Sequence, residues 1–187
     1  MTMDPGPAFA DVLAAARAGE EWAVTLVYRE LRPALARYLR AQEPRAAEDL
    51  ESEVWLAIAE RLPAFVGDEP ALRAWAFSIA RRRLAEHRRT AARRRTDPVP
   101  ADQLDRADPD DPEALVLEGL AADEAAAFVL RVLSRDQADV VLLRVIGGLE
   151  VVEVAEILGK RPGTVRVLQH RALRTLEQRL TGKRVTR

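Results

Sequence analysis

Arginine supplies most of the chemistry this chain can offer. Between Arg73 and Arg95 stand arginines at 73, 81, 82, 83, 88, 89, 93, 94 and 95, opposed only by Glu86. A second group comprises Arg161, Thr164, Arg166, His170, Arg171 and Arg174. A guanidinium keeps its charge at any physiological pH and presents a rigid fork of donors, so such groups suit phosphate oxygens and the edge of guanine. Acid–base and nucleophilic catalysis find no support. The histidines, His87 and His170, both stand among arginines without a paired nucleophile. Cysteine is absent, which excludes disulfides, thiolate zinc sites and cysteine nucleophiles. Gly159-Lys160 before Gly163-Thr164 lacks the preceding strand and the spacing of a phosphate-binding loop. No enzyme activity, cofactor or metal is expected. The charges point to nucleic acid.

The second group needs a scaffold, and Val151 to His170 reads as a helix-turn-helix. That motif joins two steeply crossed helices through a turn of three or four residues. Ala155 is the small residue where the helices touch, flanked by apolar Val154 and Leu158. Gly159 comes where the first helix ends and a left-handed residue is cheapest. Pro162 suits the first turn of the next helix, and Val165 returns it to the core. The outward side chains could then reach phosphates and base edges in a major groove. An ordinary helical hairpin with a solvated basic face is the plainer alternative. Lys160 fits imperfectly, standing where an apolar residue often plugs the turn.

The rest of the chain is also helical in character. Ala, Arg, Leu and Glu dominate its 187 residues, and these lose little side-chain freedom in a helix. Leu31, Leu35 and Leu39 recur every four residues, as do Leu50, Val54, Ile58 and Leu62; Leu72, Trp75, Ala76 and Ile79 continue the pattern. Helices are predicted at 8–18, 21–40, 45–62, 70–93, 113–133, 135–146, 150–158 and 162–180. Pro33 should bend or break the second, and Pro63 ends the third. Residues 65–70 form a loop. Asp97 to Glu113 carries aspartates at 97, 102, 105, 108, 110 and 111 among four prolines, with little apolar surface, so 96–112 reads as an acidic linker. The fold class is all-α: two small helical domains, 1–95 and 113–187, the latter with a short basic tail. The net charge of −1 conceals these opposed blocks and is compatible with nucleic-acid binding by local patches. Met1 to Ala10 does not read as a signal peptide, and no apolar stretch approaches a membrane span, so a cytoplasmic location is expected.

Taken in order, these pieces resemble the extracytoplasmic-function group of the sigma-70 family of RNA polymerase subunits. Leu133-Ser134-Arg135-Asp136-Gln137 with Val140-Val141-Leu142-Leu143-Arg144 resembles the family's L-P-x-x-x-R-x-V-L-L-L-R stretch. Gly148-Leu149 and Val154-Ala155-Glu156-Ile157-Leu158-Gly159 are similar to G-L-S-x-x-E-I-A-E-I-L-G; Gly163-Thr164-Val165-Arg166 and His170-Arg171-Ala172-Leu173 to G-T-V-K-S-R-L-H-R-A-L. In the first half, Ala47-Glu48-Asp49-Leu50 with Glu53-Val54-Trp55-Leu56 looks like A-E-D-L-V-Q-E-V-F-L, and Ala74-Trp75 with Ile79-Ala80-Arg81 like A-W-L-F-R-I-A-R-N.

The resemblance implies a promoter-recognition factor. Its first domain would dock on core polymerase and open the −10 element, and its second would read the −35 element. The implied partners are core RNA polymerase (β′ clamp helices and β flap), promoter DNA and, as for many relatives, an anti-sigma regulator. Glu48, Asp49 and Glu53 would meet the clamp helices. Arg81, Arg82, Arg88 and Arg89 would hold phosphates on the −10 side. The loop from Phe65 to Ala71, with Phe65 and Asp68, corresponds to where a flipped base is captured, although an aromatic before a loop is more often core, as Trp75 should be. The second group, Arg161 to Arg174, would serve the −35 element. Departures from the family pattern are Arg82 for Asn, Glu86 for Asp, Val167-Leu168 for Ser-Arg and Gln169 for Leu, so the reading face could be rotated or repurposed. A helix-turn-helix regulator acting without polymerase is the alternative, but it leaves the acidic helix and the linker unexplained.

Overall fold

The computed structural model describes residues 8–96 and 125–184, and every regular element among them is helical. The first half holds α1 (Phe9–Arg17), α2 (Glu21–Gln42), α3 (Ala47–Arg61) and α4 (Glu69–Thr96), with single 3₁₀ turns at Pro44–Ala46 and Leu62–Ala64. The second holds α5, described over 125–132, then α6 (Arg135–Val145), α7 (Val151–Leu158) and α8 (Pro162–Arg184). The expected linker beyond Thr96 and the start of the fifth expected helix lie outside the described residues.

Burial follows the helical period. Leu31, Leu35, Tyr38 and Leu39 of α2 face Leu50, Val54 and Ile58 of α3 and Leu72, Ala76, Phe77 and Leu84 of α4 across one apolar cluster. Tyr38 meets Phe77 edge to face, with ring centroids 5.5 Å apart. The same cluster includes Val140, Leu143, Val154, Ala155 and Val165 of the second half. The halves meet where α7 packs on α4.

Two expectations are narrowed. Pro33 lies inside α2 and does not break it. A mid-helix proline costs about 3 kcal/mol. Burying Leu31, Leu35 and Leu39 on either side of it returns about 1.5–3 kcal/mol each, so a continuous helix wins. The loop after α3 is shorter than expected, because α4 begins at Glu69 and takes Pro70 into its first turn, where a missing N–H is harmless. Asp68 starts that helix. Its Oδ1 accepts a hydrogen bond from the Ala71 amide at 2.9 Å, the N-cap arrangement for an acidic side chain.

Candidate nucleic-acid interface

The helix-turn-helix forms as the residue types dictate. Glu150 caps α7 reciprocally with Glu153, and Ser134 does the same for α6 with Gln137. Gly159 ends α7 at φ 62°. The Lys160 amide donates to Ala155 O at 2.8 Å and the Gly159 amide to Glu156 O at 3.2 Å, a Schellman closure. A Cβ at Gly159 would meet nothing within 4 Å, so the demand for glycine is purely conformational. Valine there should cost about 2 kcal/mol in backbone strain. For a chain of this size that lowers Tm by about 4–8 °C, readable by thermal circular dichroism; an unshifted Tm would contradict the turn. Lys160 takes a polar partner instead. Its Nζ reaches Asp136 of α6 at 2.8 Å and ties the turn to the preceding helix by charge.

On α8, Val165 and Ala172 are buried and mark the inward line. Arg161, Thr164, Arg166, His170, Arg171 and Arg174 are all exposed. No ion pair among the described residues engages the four arginines of this set. The unusual trio therefore does not rotate the helix. Leu168 and Gln169 are half-buried flanks, while Val167 is exposed on the outward face.

The arginines of α4 divide. Arg82 and Arg89 are exposed, whereas Arg81 and Arg88, seven residues apart and so on one face, are partly buried against other elements. Arg81 pairs with Asp139 at 2.9 Å and Arg88 with Glu43 at 2.5 Å. Phe65 is buried, its ring 5.0 Å from that of Trp75, and it serves the core beside the loop. Trp75 is half-buried against the same cluster.

The acidic residues of α3 are exposed. Asp49, Glu53, Leu56 and Glu60 follow at intervals of four, three and four, which sets them on one ridge. Glu48 lies a step round the helix from it. Leu56 is 62% exposed, an apolar side chain in an acidic row, off the hydrophobic stripe that α3 buries. On the neighbouring flank, Tyr28 meets Trp55 with centroids 4.6 Å apart, and Arg32 pairs with Glu51 at 2.9 Å.

The chain has relatives among known proteins. Residues 27–94 match Sigma-70 region 2, and residues 129–176 match Sigma-70, region 4. The chain is 33% identical over 190 residues to the ECF RNA polymerase sigma factor SigD of Mycobacterium bovis, covering 97% of this chain and 88% of the relative. It belongs to the extracytoplasmic-function sigma factors. Another such sigma factor, BldN of Streptomyces coelicolor, is 34% identical over 168 residues, covering 88% of this chain. The match spans only 63% of BldN, less than two thirds of its length. The fold of CnrH, solved in complex with the cytosolic domain of CnrY, is similar, with a TM-score of 0.66 at 21% identity over 94% of this chain and 99% of that one. In this sigma factor, region 2 therefore spans most of α2 through α4, and region 4 carries the helix-turn-helix. No helix among the described residues is long and apolar enough to cross a membrane.

Proposed function

We propose that this sigma factor holds promoter DNA at two separated surfaces while a third surface grips core RNA polymerase. The outward face of α8 serves the −35 element. Two exposed arginines of α4, Arg82 and Arg89, serve the −10 side, joined by Arg81 and Arg88 when those are free. The ridge of Asp49, Glu53 and Leu56 docks on a basic helical surface of the polymerase, with Glu48 at its edge. The division of labour is 1–95 for docking and the −10 side, 96–112 as tether and 113–187 for the −35 side. The protein acts in the cytoplasm and catalyses no reaction of its own; its work is selecting where polymerase starts.

The observation that carries this reading is the α8 face, where Arg166, Arg171 and Arg174 stand exposed on the helix that a left-handed glycine turn presents, with exposed Arg161 just before it. Buried Val154, Ala155 and Val165 lock that presentation from behind. The test is run-off transcription with core polymerase on a promoter library. Promoter-specific transcripts should depend on this chain, and holoenzyme affinity for the selected sequence should fall steeply with salt. Each phosphate held by an arginine contributes a log–log slope of about −0.9. No chain-dependent transcript from any sequence would refute it.

A further inference from the structure

We propose that Val167 is a base-reading residue of this sigma factor: framed by polar and cationic side chains, it recognises one thymine of the −35 element through the thymine methyl group. This rests on the promoter-reading function above and names the chemical feature of the DNA that one part of α8 reads.

Val167 is 49% exposed. At about 100° per residue it lies roughly 200° round α8 from Val165 and about 140° from Ala172, the buried residues of the inward line. It therefore points away from the core. Leu173 and Leu180, the other large apolar side chains exposed on α8, fall only about 80° and 60° from Val165 by the same count and belong to its flank. Of the three departures from the family pattern in this helix, Leu168 packs against the core cluster and Gln169 is half-buried. Val167 is the one that changes what the outward face offers to a groove. Its neighbours one turn away are Gly163 and Thr164 on one side and His170 and Arg171 on the other, all exposed. Gly163 adds reach, because it lies on nearly the same line and carries no side chain. A Cβ there would meet nothing within 4 Å, so the protein's own packing leaves open a space that an approaching duplex can enter.

Position along the helix agrees with position round it. Val167 lies in the second turn of α8, which begins at Pro162, and recognition helices meet base edges through their N-terminal residues. In the major groove the bases offer donors and acceptors, and the apolar feature among them is the 5-methyl group of thymine. Valine has no donor or acceptor on its side chain. Against guanine, adenine or cytosine it would cover a polar edge without pairing it, which is costly. Against thymine its methyl groups meet another. β-Branching already holds a helical valine in one rotamer, so the contact costs little side-chain freedom. The serine of the family pattern at this place both donates and accepts and tolerates several base edges. Valine exchanges that tolerance for a preference.

The test uses holoenzyme and the promoter it selects from a library. Exchanging each thymine of the −35 element, on either strand, for deoxyuridine removes the methyl group and keeps the base pair. One exchange should weaken wild-type binding about fourfold, the effect of returning one aliphatic carbon to water. At that place 5-methylcytosine should bind better than cytosine. In Val167→Ala the deoxyuridine penalty should vanish. Thr164→Ser, which removes the neighbouring methyl group and keeps the hydroxyl, should retain it. Both sites are exposed, so the variants should fold, as circular dichroism checks. Val167→Ser is the second variant at the same site; it should lose the penalty too and relax the base preference at that one position. A selected element without thymine would overturn the proposal, as would the absence of any sensitive exchange or a penalty that survives in both Val167 variants. A penalty lost in Thr164→Ser and kept in the Val167 variants would give the contact to Thr164 and overturn it as well. In each of these cases promoter selection itself stands. A wild-type holoenzyme that selects no promoter would instead refute the function, and the proposal with it.

Discussion

Reversing Asp49 to arginine is expected to weaken binding to core RNA polymerase by about 100-fold while leaving the chain folded. Asp49 is exposed in the first turn of α3, so the change opens no cavity. Its structural cost is a lost favourable charge at a helix N-terminus, worth about 0.3–1 kcal/mol. At a docking surface the balance differs. Asp49 and Glu53 stand in one row with Leu56 between Glu53 and Glu60, so a basic partner meets acid over an apolar contact. A like charge placed into such a contact costs several kcal/mol, and about 2.7 kcal/mol is already two decades of affinity. Leu56→Ala should cost less, and Glu53→Arg about as much as Asp49→Arg. Titration of labelled chain with core polymerase reads the effect, and thermal unfolding checks the fold. Unchanged affinity for Asp49→Arg would remove the ridge from the polymerase contact.

Most helices were legible because their apolar residues keep the helical period, as Leu31, Leu35 and Leu39 do, and because punctuation was unambiguous at Pro63 and Gly159. Pro33 leaves α2 unbroken because a single residue's cost is local, whereas the leucines that outweigh it are rewarded by the helices packed around them. The α8 face was legible for a similar reason: Val165 and Ala172, seven apart, define its inward line. What could not be read was which charges are spoken for. Arg81, Arg82, Arg88 and Arg89 look alike in sequence. Their spacing separates two faces but does not say which one meets protein. That depends on Asp139, 58 residues from Arg81 and 97 from Gln42, and no periodicity marks an aspartate as buried. Lys160 is the same case in miniature, since its partner Asp136 lies 24 residues back on another helix.

Replacing Arg166 and Arg171 by alanine, singly, should lower transcription from −35-dependent promoters by about 5- to 150-fold each, with core polymerase binding unchanged. The range follows from what the groups touch. A bidentate arginine–guanine contact discriminates by about 1–3 kcal/mol, whereas a phosphate contact is lost evenly across sequences and reduces the salt slope by about 1. The same measurement therefore sorts them. Loss confined to particular base substitutions marks a reader, and uniform loss with a shallower salt dependence marks a phosphate clamp. Stability should change little, because both side chains are exposed and no ion pair among the described residues holds them. Val167 supplies an internal contrast on the same face, exposed but uncharged. Val167→Ala should leave the salt slope untouched, because it releases no counterion. If both arginine variants transcribe with wild-type promoter selectivity and salt dependence, α8 is not the −35 reader, and the cationic face that its glycine turn presents is only solvated surface.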